Sequence, residues 1–296
     1  MQLYENDQID LHRPVADYLP EFAQNGKGAV TIWQLLTHTG GLIPFRPFYR
    51  EGATSAREVR NRILQDSLVY EPGSTSRYSD FGPITLAWMV ERITGETFSE
   101  YVSENVFKPL SMYDTGYRSV RKGVVADAVP TELDDYFRHR LLQGEVHDET
   151  AYLLGGTAGH AGLFSTADDL SRFAAMLINE GRVGDRVFLK PETIRHFVRK
   201  VDPDLKHTRA LGWDTRSPSG YSSAGSHFGP LSFGHTGFTG TSFWIDPDSK
   251  LFVILLTNRV YPTRDNRGHI PVRPAVADLT FRAFRPTPDP GLVVTE

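Results

Sequence analysis

The stretch from Leu231 to Asn258 constrains this fold more than any other part of the chain. A run ending at His235 and Thr236, a second from Thr241 to Ile245 and a third from Leu251 to Thr257 are rich in β-branched and aromatic residues. Turn residues separate them, so they are expected to form three antiparallel strands. Asp246-Pro247-Asp248-Ser249 suits a tight turn, because proline pre-sets φ and the flanking Asp and Ser bond their own backbone. The third run is apolar on both faces, which requires that it be central or covered by helices. Gly234, Gly237 and Gly240 strip the backbone around His235 and Thr236 of side chains. Two readings fit: close approach of a ligand, or a turn that needs glycine.

A chain of 296 residues can bury one large core or two modest ones. Its net charge of −4 and its lack of any basic run argue against nucleic acid as a partner. There is no cysteine for a disulfide or a thiolate metal site, and no apolar run long enough to span a bilayer. Met1 to Asn6 reads as the last turn of a helix that begins further upstream, so the lack of a signal peptide says nothing of compartment.

Helical patterns follow. Thr31 to Leu36 forms a short helix stopped by Thr37-His38-Thr39-Gly40-Gly41, and Ser55 to Val69 a charged amphipathic one. Leu86, Met89, Val90 and Ile93 share one face of a buried helix ending at Gly95, and Tyr78-Ser79-Asp80 stands just before it. As a local pattern, Tyr-Ser-Asp is equally well a helix cap. Further helices are expected over Thr97 to Val106, Thr166 to Ile178 and Arg273 to Phe284, the last followed by a Pro-rich tail from Pro286. Thr131 to Asp148 is highly charged and reads as a solvated excursion over the site. His147, Asp148, Glu149 and His160 are ligand-type residues, but their spacing fits no common zinc pattern, so the glycine-rich loop around His160 is read as pocket wall and no metal is assigned. Ser217 to Gly229, rich in Ser and Gly, is expected to be mobile.

Five motifs occur in order: LLTHTGGL (Leu35 to Leu42), EPGSTSRYSDFG (Glu71 to Gly82), VFKPLSMYDTGY (Val106 to Tyr117), GHAGLFSTADDLSRF (Gly159 to Phe173) and GHTGFTGTSFWIDP (Gly234 to Pro247). Together they resemble the serine β-lactamase and penicillin-binding-protein superfamily, in its class C, esterase and D-aminopeptidase branch. RPFY (Arg46 to Tyr49) and the stretch from Val146 to Ser165 most resemble the members that include esterases and exo-acting muramyl amidases. The resemblance implies an α/β (α+β) fold, an antiparallel sheet flanked by helices plus a mostly helical region. The whole chain, 1–296, would be one domain, helical over about 30–180 and carrying the sheet and final helix over about 205–285. It also implies acyl transfer through a serine ester on a small ester, an amide or a muropeptide, without a cofactor, and an extracytoplasmic location.

Carried over by position, Tyr78 is the candidate general base, and His235, Thr236 and Gly237 match the family's Lys-Thr-Gly or His-Thr-Gly strand. The Phe238 N–H would be the oxyanion donor, His160 would line the pocket and His235 would supply the cation a phenolate needs. Asp80 stands where the family often has Asn, which exchanges an amide for an anion and argues against β-lactam recognition. The family's Ser-x-x-Lys is not found before Tyr78. The single occurrence, Ser119-Val120-Arg121-Lys122, follows it in a polar connection and is not expected to be the nucleophile. The expectation is therefore that the motif and the strands before it lie upstream of Met1. That would leave a three-stranded sheet whose run Leu251 to Thr257 is an open edge prone to self-association. The alternative is a catalytically dead pseudoenzyme or binding module for a peptidoglycan fragment or protein partner.

Overall fold

The computed structural model describes residues 1–117, 127–201 and 207–284. Ser119 and Lys122 and the tail from Pro286 lie outside the described residues.

The main sheet has four strands among the described residues, not three. They are β1 (Asp214–Thr215), β2 (Phe233–Thr236), β3 (Ser242–Asp246) and β4 (Leu251–Leu255), antiparallel throughout in the spatial order β4-β3-β2-β1. β1 escaped the sequence reading because two residues carry no alternation to detect. The register pairs His235 with Phe243 and Phe243 with Ile254. β4 is an edge strand of this sheet, and its apolar character is met from the faces, where the helices Ala167–Ile178 and His269–Phe284 pack on it. The final helix starts at His269, a turn before the expected Arg273.

The helical part is built around α4 (Phe81–Thr94), which buries Phe81, Ile84, Ala87, Trp88 and Met89 and ends at Gly95 with φ 76°. Gly95 supplies the left-handed stop at little steric cost. Three α-helices precede it among the described residues: α1 (Gln2–Glu5), α2 (Ile32–Leu36) with a Thr31 to Gln34 capping box, and α3 (Ala56–Gln65) capped by Ser55. One apolar cluster joins this region around Phe22, Leu35, Phe48, Ile63 and Ile84. A second unites Phe107, Met176, Leu177 and Ile194 with Phe233 and Ile245 of the sheet. Phe107 of the helical region thus shares a cluster with the sheet, whereas an apolar cavity of about 320 Å³ lies between Met89 of α4 and Met176 of the helix on the sheet.

Two expectations fail for physical reasons. The Thr131 to Asp148 run is solvated only in part: Asp135, His139 and Arg140 are exposed, but Glu132, Asp134, Arg138 and His147 are buried. Arg138 Nε donates to Asp134 Oδ2 at 2.8 Å, and its other nitrogens donate to the carbonyls of Val146 and His147. Such paired burial is how charge is accommodated in an interior. The Ser217 to Gly229 loop is likewise pinned, with Ala224 and Phe228 in a cluster with Trp244 and Val253. Asp278 of the last helix accepts from the backbone N–H groups of Ser226 and His227.

Candidate active site

Tyr78 reaches its place through the backbone on either side of it. Ser79 Oγ donates to the Ile43 carbonyl and accepts from the Phe81 N–H, so this buried hydroxyl ties the Tyr-Ser-Asp turn to the start of α4. The capping reading is thus correct for Ser79. Asp80, also at the helix start, makes no side-chain capping bond. Tyr78 is left 41% exposed at the surface beside this turn.

Three groups surround its ring. His235, on β2, lies 6.1 Å away between ring centroids, His38 lies 4.5 Å away, and the Arg209 guanidinium sits 5.4 Å from the ring centroid. His38 adopts φ 56°, a left-handed backbone unusual for a non-glycine residue. Its Nδ1 accepts the Ser79 N–H at 3.2 Å, so Nε2 carries the proton of the neutral ring. Burial, then repulsion from Arg209 and His235, hold its pKa down to about 3. His235 Nδ1 donates to the Thr236 carbonyl at 2.9 Å, leaving Nε2 for another partner.

Burial pushes the Tyr78 phenol up to about 12, Asp80 adds to this, and Arg209 opposes it. The cation beside Tyr78 is therefore Arg209, which itself pairs with Asp214 of β1. His38 and Arg209 were missed by the sequence reading. The first stood within the quoted LLTHTGGL, and its signal is a polar ring at a helix stop. The second lies in a segment without pattern.

The turn after β2 is held from behind. Arg273 donates to the carbonyls of Gly237 and Thr241, and Arg259 Nε donates to the Phe238 carbonyl at 2.7 Å. The Phe238 ring is flanked by the Arg259 guanidinium, 4.3 Å from its centroid, and by His147 at 5.7 Å. A side chain at Gly234 would strike the Phe243 carbonyl and the Trp244 ring, and one at Gly237 the Thr241 hydroxyl. Cross-strand packing and the turn thus account for these glycines without a ligand.

His160 does not touch Tyr78; it enters through Asp80. A Cβ on Gly159 would lie 1.9 Å from the Pro83 carbonyl, so only glycine lets this loop rest on the first turn of α4. That contact brings the His160 side chain, 3% exposed, near Asp80, while its Nε2 donates to Asp148 Oδ1 at 3.0 Å. Burial lowers the His160 pKa, and Asp148 together with Asp80 more than restores it, for a net rise. Burial raises Asp80 to about 6, against the pull of His160.

A family model described as Beta-lactamase matches residues 1–277. The chain belongs to the beta-lactamase family. Within it, a protein of Escherichia coli (strain K12) named "Putative D-alanyl-D-alanine carboxypeptidase" is 32% identical over 308 residues, covering 92% of this chain and 70% of that one. The penicillin binding protein from Bacillus halodurans has the same fold, with a TM-score of 0.68 at 20% identity over 94% of this chain and 81% of that one. So does the octameric penicillin-binding protein homologue from Pyrococcus abyssi, with a TM-score of 0.67 at 21% identity over 95% and 62%. The beta-lactamase-like α+β fold expected from the motifs is thereby shown, and with it the peptidoglycan-related and serine-hydrolase character of the family. No helix among the described residues is long and apolar enough to cross a membrane.

Proposed function

We propose that this chain carries an acyl-transfer cleft for a D-alanyl peptide, or for an ester or amide of similar shape. The observation that carries this reading is the meeting of Tyr78 and the His235-Thr236-Gly237 strand, 157 positions apart at Tyr78 and His235, across 6.1 Å. The strand would align the substrate backbone. The Phe238 N–H, which bonds to none of the described residues, would face the developing oxyanion. Tyr78 rests as a phenol and becomes a base only when further positive charge enters the cleft.

The attacking serine is not assigned among the described residues. Ser79 is committed to Ile43 and Phe81, and Ser76 Oγ donates to the Thr37 carbonyl. No Ser-x-x-Lys occurs among them. A second reading, a cleft that binds without turnover, is favoured by that phenol and by the uncommitted serine role. Intact-mass spectrometry after treatment with a fluorophosphonate or a β-lactam decides between them. Stoichiometric labelling, at Ser119 or at another serine, would support acyl transfer and locate the nucleophile. The reading without turnover expects no stable adduct. We also propose that self-association, where it occurs, runs through the Leu251 to Thr257 edge.

A further inference from the structure

Asp80 is placed as a ligand contact would be. It stands two residues from Tyr78 at the head of α4, yet its carboxylate caps nothing and accepts no hydrogen bond from the described residues. Behind it lies His160, whose Nδ1 is buried and unpartnered while Nε2 is held by Asp148. Asp148 in turn is fixed by the Ala151 N–H at 2.7 Å. Around Tyr78 the charges are Asp80, Asp148 and Asp214 against Arg209, with His160 bound to Asp148, His38 neutral and His235 beside the ring. Arg209 is already paired with Asp214. The cleft is left with an excess of negative charge, and an anion that only accepts hydrogen bonds must be matched by a donor.

We propose that Asp80, backed by the His160 and Asp148 pair, recognises a protonated amine on the substrate of this cleft. The amine would belong to a peptide N-terminus or a diamino-acid side chain. The proposal rests on the reading of the cleft as a D-alanyl peptide site and narrows its substrate class. It also provides the positive charge whose absence leaves Tyr78 a phenol.

The test is calorimetric titration at pH 7.5 with lysyl-D-alanyl-D-alanine and with its doubly acetylated counterpart, which differs in lacking both ammonium groups. The free-amine peptide should bind about tenfold tighter or more, the scale of a charge-assisted hydrogen bond. Asp80→Asn should remove the difference between the two. In the wild-type chain, which needs no refolding control, the preference should fade as the pH is taken from 7.5 to 5. The Asp80 carboxyl, at about 6, protonates over that range, while the lysyl side-chain amine stays charged and the α-amine only gains charge. Equal affinity of the two peptides for the wild type, or a preference that survives Asp80→Asn, overturns the proposal and leaves the cleft reading standing. Failure of both peptides to bind overturns both.

Discussion

Tyr78 shows how far a motif alone can lead. Its position beside the His-Thr-Gly strand follows from family resemblance, but its protonation state does not. That depends first on burial, then on Asp80 next to it in the motif and on Arg209, Asp214 and Asp148, which no spacing in the sequence brings near. The buried pair Arg138 and Asp134 teaches the same lesson, since its charges read as a solvated run. Their side chains are 2% and 0% exposed, so removing one partner strands the other in the interior. Arg138→Ala should therefore cost about 3–5 kcal/mol in urea unfolding. By contrast Arg140→Ala, which breaks a pair half open to water, should cost less than about 1 kcal/mol. Equal, small losses in both would show that the network around residue 138 is not what holds this segment down.

Among the elements, α4 and the strands β2 to β4 were readable because periodicity and turn chemistry agree in each. β1, the π-helical turn Ser103–Phe107 and the anchoring of the 217–229 loop were not, since each depends on partners distant in sequence. β4 makes a prediction of its own. It forms one edge of the described sheet, apolar along its length, and Leu256 just beyond it is 45% exposed. Edges of this kind recruit other strands unless a charge blocks them. Size-exclusion chromatography with light scattering should find the chain larger than a monomer, and Leu256→Lys should shift it toward the monomer. A wild-type chain that is cleanly monomeric would remove β4 as an association surface.

For the molecule as a whole, the cleft couples stability to pH. The neutral His38 resists protonation down to about 3, whereas the unfolded chain protonates it near 6.5. Between these values the unfolded state binds more protons, so this residue makes stability fall as the pH drops. Asp80 works in the opposite sense between 3.8 and about 6, because the folded state there holds the extra proton. His38→Gln should thus lose less stability than the wild type between pH 7 and 5 in urea midpoints. An unchanged difference would show that His38 is not buried as a neutral ring. The central claim is that Tyr78, His38 and the His235 strand line one ligand cleft. Ring-proton NMR of the histidines during titration with a D-alanyl-D-alanine-terminated peptide tests it most directly, with His38→Gln and His235→Gln spectra for assignment. The account predicts that both signals move together and saturate at one ligand concentration; a peptide that binds while both stay still, or that does not bind at all, contradicts it.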